Sequence, residues 1–175
     1  MNQDLDKYIR SIPDFPKKGI NFRDITTLLK DPRGLKEAVQ SFEAALEGVD
    51  FDVVVGPEAR GFLFGVPVAY NLGKGFVPVR KPGKLPGKTI SQSYDLEYGT
   101  NEIEVHDDAV QPGQSVVVID DLMATGGTIE AIIKLINRMG AEVVKVVCLI
   151  ELEGFNAKDN LGDIPFESLI KYPGA

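Results

Sequence analysis

Val116-Val117-Val118-Ile119-Asp120-Asp121-Leu122-Met123-Ala124-Thr125-Gly126-Gly127-Thr128 is the stretch that decides the fold. Its four leading β-branched residues spell a strand buried on both faces. Ile129, Ile132, Ile133 and Ile136 then recur at the spacing of a helix that covers it. Between strand and helix lies a loop carrying two carboxylates, two hydroxyls and two adjacent glycines. Gly126 and Gly127 let the backbone adopt conformations that a Cβ would block, so successive N–H groups can turn inward at the helix N-terminus. The helix dipole favours an anion there. Thr125 and Thr128 add hydroxyl donors, while Asp120 and Asp121 at the strand's carboxyl end can accept hydrogen bonds from vicinal hydroxyls. Phosphate donors beside diol acceptors describe a site for a ribose 5-phosphate.

Each of these residues alone has an ordinary structural use, since Asp and Thr cap helices and Gly-Gly makes turns. Their combination carries the reading. The loop lacks both the Gly-Lys-Ser/Thr ending of a Walker motif and the G-x-G-x-x-G of a dinucleotide fold. Four apolar residues, Asp-Asp and then Ala-Thr-Gly-Gly-Thr resemble the phosphoribosyl pyrophosphate (PRPP) signature of the type I phosphoribosyltransferases.

Composition bounds the rest. The chain has 175 residues with 43% hydrophobic content, which suits one globular domain over residues 1–175. A formal net charge of -7 argues against a general nucleic-acid binder, so any anion site must be local. The single cysteine, Cys148, sits in an apolar run and reads as a buried core thiol. No run is long enough to span a bilayer and the N-terminus is not signal-like, so a cytoplasmic location is expected. The lone His106 lies in a polar segment, is expected at the surface and cannot build a metal site by itself.

From the start of the chain, Leu5, Tyr8, Ile9 and Ile12 have helical spacing, with Asn2 or Asp4 as cap and Pro13 as the stop. The Pro- and Gly-punctuated segment from Phe15 to Ile25 is too irregular for a core strand. Leu35, Val39, Phe42 and Leu46 predict a helix stopped by Gly48. Asp52 to Gly61 reads as strand, loop and helix entry, in which Arg60 can hold an anion in its guanidinium fork or pair with Glu58. Phe76 to Val79 is a third strand, placed at a sheet edge because Pro78 cannot donate to a ladder.

Arg80, Lys81, Lys84 and Lys88 follow within a Gly/Pro-punctuated loop, a diphosphate catch or else a solvated turn. Ser91–Tyr94 and Glu102–Val105 predict a hairpin with Gly99 near its tip, a candidate lid. Pro112-Gly113 turns the chain into the signature strand, Gly140 caps the signature helix, and Val143–Ile150 and Phe166–Ile170 are the last strands. The alternation implies an α/β fold: an open, mostly parallel sheet with helices on both faces. Ligands sit beyond the carboxyl ends of such strands, where Asp120, Arg60 and Lys81 all fall.

Phe22-Arg23-Asp24-Ile25, Arg60-Gly61-Phe62-Leu63-Phe64-Gly65, the Arg80–Gly87 loop and Tyr94-Asp95-Leu96-Glu97-Tyr98-Gly99 extend the resemblance from about Phe15 through Leu149. In that order they are similar to the motifs of the adenine-using members of the family. The resemblance implies the type I phosphoribosyltransferase fold with a five-stranded sheet, an N-terminal hood (residues 1–30) and a hairpin lid (residues 84–106). It implies purine salvage, adenine and PRPP giving AMP and pyrophosphate, in a homodimer.

Carried over residue by residue, Ala124, Thr125, Gly126, Gly127 and Thr128 would hold the 5-phosphate, and Asp120 and Asp121 the ribose hydroxyls. Ala59 and Arg60, with Lys81 and Lys84 from this or a neighbouring subunit, would hold pyrophosphate. Phe22 and Arg23 would take the adenine, and lid residues Glu97 and Tyr98 would close over it, Glu97 as the base. Mg²⁺ would arrive on PRPP and leave with pyrophosphate, with no direct ligand from the chain. A cis peptide is expected at Glu58–Ala59. Pro82 stands where many relatives have a further basic residue. Two alternatives remain at this level: a transferase for hypoxanthine, guanine or xanthine, and a non-catalytic PRPP-sensing regulator that binds nucleic acid.

Overall fold

A computed structural model of the protein describes residues 4–95, 100–155 and 157–174. The chain opens with a 3₁₀ turn, Leu5–Tyr8, where an amphipathic helix through Ile12 is expected from the spacing. Ile9 is already extended, and β1 (Arg10–Ile12) pairs antiparallel with β2 (Phe22–Asp24). Long-range pairing overrides the local pattern here. Arg10 donates to Asp24 from Nε at 3.0 Å and also from its terminal nitrogen, tying the two strands together. The Thr26 amide and Arg10 hold the Asp24 carboxyl down at about 2.

A short helix α1 (Thr26–Lys30) leads into α2 (Pro32–Ala45). Asp31 caps α2 by accepting from the Arg33 and Gly34 amides, both at 2.9 Å, and Pro32 starts the helix where a missing N–H costs nothing. Next come β3 (Val53–Pro57), α3 (Arg60–Asn71) and β4 (Gly75–Val79). The hairpin of β5 (Thr89–Asp95) and β6 (Thr100–His106) follows, its strands where the sequence places them. The expected tip at Gly99 lies outside the described residues. The chain continues through β7 (Ser115–Met123), α4 (Gly127–Arg138), β8 (Glu142–Glu153) and β9 (Phe166–Pro173).

Five strands form one sheet in the order β4-β3-β7-β8-β9, and every pair in it is parallel. The expectation of a mostly parallel sheet is thus met by a wholly parallel one, with β4 at the edge as Pro78 demands. Strand alternation divides the core. Val53, Val55, Val116, Val118, Val146 and Cys148 face α4, while Val54, Val117, Ile119, Val147 and Leu149 face α2 and α3. Ile129, Ile132, Ile133 and Ile136 of α4 are all buried against the first set, each contributing roughly 1.5–3 kcal/mol. Cys148 is a free, buried thiol. His106 is only partly exposed, its Nε2 2.8 Å from the Pro86 carbonyl oxygen. No helix among the described residues is long and apolar enough to cross a membrane.

The strand order reverses between β3 and β7, since β3 is followed by β4 on one side and β7 by β8 on the other. A crevice opens beyond the carboxyl ends of strands at such a reversal. This places the loop before α3 beside the loop before α4.

Candidate active site

A cavity of about 340 Å³ lies over that reversal, lined among others by Glu58, Arg60, Lys81, Tyr94, Asp121 and Thr128. Three connections meet there, from β3, β4 and β7, and the hairpin closes one side.

The β7 connection is short because β7 runs to Met123 and α4 begins at Gly127. Gly126 turns the chain with φ at 83°, the left-handed conformation glycine adopts without strain. A Cβ on Gly126 would lie 3.0 Å from the Ala157 carbonyl oxygen, so any other residue would be strained there. Asn160 donates from Nδ2 to the Thr125 carbonyl at 2.8 Å and pins the loop from the other side. The start of α4 has no side-chain cap, so its first amides face the loop unspent, in the arrangement that receives an anion.

Asp120 and Asp121 lie in the last half of β7, before Leu122 and Met123, and are nearly inaccessible, at 8% and 4% exposure. The Asp121 amide donates to Asp120 Oδ1 at 2.8 Å. Burial pushes the Asp120 carboxyl well above the ordinary carboxylate range, and the adjacent Asp121 charge adds to the rise. Burial also raises Asp121, opposed by Arg60. Arg60 Nε lies 2.9 Å from Asp121 Oδ2, a charge contact whose angle leaves that buried oxygen without a formal hydrogen bond. The partner of Arg60 is therefore Asp121 rather than Glu58. Close packing makes this possible: a Cβ on Gly61 would meet Pro57 Cδ at 2.8 Å and Asp120 Oδ1 at 3.1 Å.

The Glu58–Ala59 peptide is cis, as the resemblance leads one to expect. Glu58 accepts from Arg80 Nε at 2.5 Å and from the Lys81 amide at 3.1 Å. Burial alone would raise its carboxyl, but these bonds, Arg80 foremost, bring it below the usual range. Arg80 is thereby paired with Glu58, and both Arg80 and Lys81 line the cavity together with Pro82. Lys84 does not line it; its amide is tied instead to Glu104 Oε1 at 3.2 Å.

Phe22 and Arg23 lie on β2, outside the cavity lining. Phe22 packs edge-on against Phe15 with ring centroids 5.2 Å apart. The Arg23 guanidinium stacks 3.8 Å from the Tyr172 ring centroid, donates to Ser11 Oγ, and has its Nε buried without a hydrogen-bond partner. Burial and an accepting Asp6 carboxylate raise the Tyr172 phenol above its ordinary value. Glu97 and Tyr98 lie outside the described residues.

Two further residues were not singled out individually from the sequence. Tyr94 lines the cavity, and its hydroxyl accepts from Thr128 Oγ1 at 3.2 Å, joining the hairpin to the start of α4. Glu104 is a buried acid on β6, recognisable only by its place among the alternating residues of the hairpin. Among the described residues no group of three or more His, Cys, Asp and Glu is arranged to hold a metal ion.

Anion donors, a buried acid pair and cations gathered at one mouth suit a phosphorylated sugar whose leaving group is itself anionic. Comparison with known proteins agrees with that chemistry. The sequence model of the phosphoribosyl transferase domain matches residues 27–161. An adenine phosphoribosyltransferase of Lachnoclostridium phytofermentans is 58% identical over 170 residues, covering 97% of this chain and 98% of that protein. The crystal structure of adenine phosphoribosyltransferase from Thermoanaerobacter pseudethanolicus superposes with a TM-score of 0.95 at 52% identity, covering 98% of this chain and 100% of that one. The Saccharomyces cerevisiae enzyme, solved with adenine and an imino-altritol bisphosphate, gives 0.90 at 35% identity, covering 96% of this chain and 97% of that one. The chain belongs to the phosphoribosyltransferase family and, within it, to the adenine phosphoribosyltransferases.

Proposed function

We propose that this protein transfers the 5-phosphoribosyl group of PRPP to N9 of adenine, forming AMP and releasing pyrophosphate in purine salvage. The observation that carries the reading is the meeting, at the strand-order reversal, of the uncapped start of α4 with the Asp120–Asp121 pair and Arg60.

PRPP enters as its magnesium complex. Amides and hydroxyls of Ala124 to Thr128 take the 5-phosphate. Asp120 and Asp121 accept from the two ribose hydroxyls, partners that repay the burial of their charge. Ala59, Arg60, Lys81 and Lys84 take the diphosphate, with Lys81 already at the cavity wall.

As the C1–oxygen bond breaks, its electron pair leaves with pyrophosphate and positive charge grows on the ribose. The buried acids steady that charge, and the cations neutralise the leaving group. The N9 lone pair forms the new C–N bond. Glu97 accepts the N9 proton while the lid (residues 84–106, with Tyr98) keeps water from PRPP. Phe22 stacks on adenine, and backbone near Arg23 in the hood (residues 1–30) reads the base edge.

The whole chain, residues 1–175, acts as one domain, and a homodimer is the working form. Leu63, Val66 and Tyr70 support this as a stripe of exposed apolar side chains along α3, Tyr70 being 83% exposed. A reducing cytoplasm suits the single free cysteine. The test is adenine consumption followed by absorbance, with hypoxanthine, guanine and xanthine in parallel. Turnover requires adenine, PRPP and Mg²⁺ together. Turnover with another purine in preference to adenine, or none with any, would overturn the reading.

A further inference from the structure

Glu104 holds the basic loop to the hairpin by both its backbone and its side chain. Its amide donates to the Arg80 carbonyl at 2.7 Å and its carbonyl accepts from the Arg80 amide at 2.9 Å, an isolated antiparallel bridge between loop and β6. Its carboxylate is buried, with 6% of the residue exposed. Oε1 accepts from the Lys84 and Leu85 amides, both at 3.2 Å, and Oε2 from Thr89 Oγ1 at 3.3 Å. A carboxylate removed from water is stabilised only by such donors, so the loop must keep its shape for the charge to stay satisfied.

The opposite end of the same loop is gripped by another acid. Glu58 binds Arg80 Nε and the Lys81 amide. Two carboxylates therefore clamp residues 80–85, one from the β3 connection and one from the hairpin. Between the two clamps Lys81 faces the cavity. Neither acid needs to touch substrate to set where that ammonium stands.

We propose that Glu104 is a positioning residue for capture of the leaving group: it fixes the Arg80–Leu85 loop so that Lys81 is presented to the diphosphate of PRPP and of pyrophosphate. The inference rests on the functional reading above. It also assigns the hairpin a second task, since the strand that carries the lid's return is the one that shapes the diphosphate loop. A diphosphate bound at Lys81 and a settled hairpin root then favour each other through Glu104.

Three variants separate positioning from packing. Glu104→Met keeps side-chain length but accepts no hydrogen bond of comparable strength. Glu104→Asp keeps the charge but draws the oxygens back from the amides by one methylene. Glu104→Gln keeps one oxygen able to accept from both amides. Binding of magnesium pyrophosphate and of AMP is measured by calorimetry, with KM for PRPP and for adenine and the melting temperature alongside.

Pyrophosphate affinity and KM for PRPP should worsen about tenfold in Glu104→Met and several-fold in Glu104→Asp, and should stay within about twofold in Glu104→Gln. AMP affinity and KM for adenine should hold in all three, because AMP lacks the diphosphate. Unchanged pyrophosphate binding in Glu104→Met, or in Glu104→Asp should the Met variant fail to fold, overturns the proposal. So does a loss of AMP binding in proportion, which would mark general damage. Wild-type protein that binds neither PRPP nor pyrophosphate would instead defeat the functional reading itself.

Discussion

Arg60 Nε stands 2.9 Å from Asp121 Oδ2, so the cation that begins α3 meets an acid near the carboxyl end of β7 across the reversal of strand order. The pair is lopsided, with the Arg60 side chain 45% exposed and that of Asp121 only 6%. Removing the cation leaves a buried charge, whereas removing the acid leaves a solvated one. Arg60→Met should cut turnover by about 10²–10³-fold, the scale of losing one preorganised charge. It should also cost roughly 1 kcal/mol of stability near neutral pH, the exposure of Arg60 limiting the loss. Arg60 pulls the Asp121 pKa down against burial. Its contribution is therefore present where Asp121 is ionised and fades as pH falls and Asp121 takes up its proton. Melting curves at several pH values check this, and the gap between variant and wild type should close toward acid.

Asp120 makes the opposite prediction. Its pKa is raised by burial first and by Asp121 second, so the folded state holds this proton more tightly than the unfolded chain does. Such a group stabilises most below the ordinary carboxylate pKa of about 3.9 and loses that contribution as pH rises through its folded value. Asp120→Asn keeps an oxygen for the Asp121 amide and removes the charge. Ligand-free Asp120→Asn should be more stable than wild type above neutrality by on the order of 1 kcal/mol, or about 2–4 °C in melting temperature. The gain should vanish in acid. Turnover should fall at the same time, the trade expected of an acid kept for function.

Gly126→Ala tests the loop. The residue sits at φ 83°, and a Cβ there would press 3.0 Å from the Ala157 carbonyl oxygen. The left-handed conformation costs an L-residue about 1–2 kcal/mol, and the contact adds to it. The variant should melt at lower temperature and bind AMP at least about tenfold more weakly as the amides at the start of α4 shift. A lowered melting point with AMP affinity intact would separate the loop's structure from phosphate binding.

Much of this site was legible because its chemistry is contiguous in the chain. The β-branched run, the acid pair and the Gly-Gly turn occupy one stretch, and the sheet strands follow from similar apolar runs. What the sequence concealed depends on pairing across distance. The 3.6-residue spacing at Leu5 and Tyr8 is real, yet Arg10 to Ile12 joins β2, because the Arg10–Asp24 contact and strand pairing outweigh one turn of helix. Arg60 was open to an anion or to its near neighbour Glu58, but the topology hands it Asp121 and gives Glu58 to Arg80. Glu104 reads as one more solvated acid in an alternating strand until the basic loop is seen folded onto it.

Glu97→Gln addresses proton transfer. Loss of a general base should slow the chemical step by about 10²–10⁴-fold, read by single-turnover kinetics, while leaving PRPP affinity close to wild type. A change confined to PRPP binding would remove Glu97 from the role of base.

The most direct measurement is a crystal structure of the protein soaked with AMP. The 5′-phosphate should lie within hydrogen-bond distance of the amides and hydroxyls of Thr125 to Thr128, with the ribose hydroxyls against Asp120 and Asp121 and the adenine beneath Phe22. AMP bound elsewhere, with this loop empty of phosphate, would contradict the account.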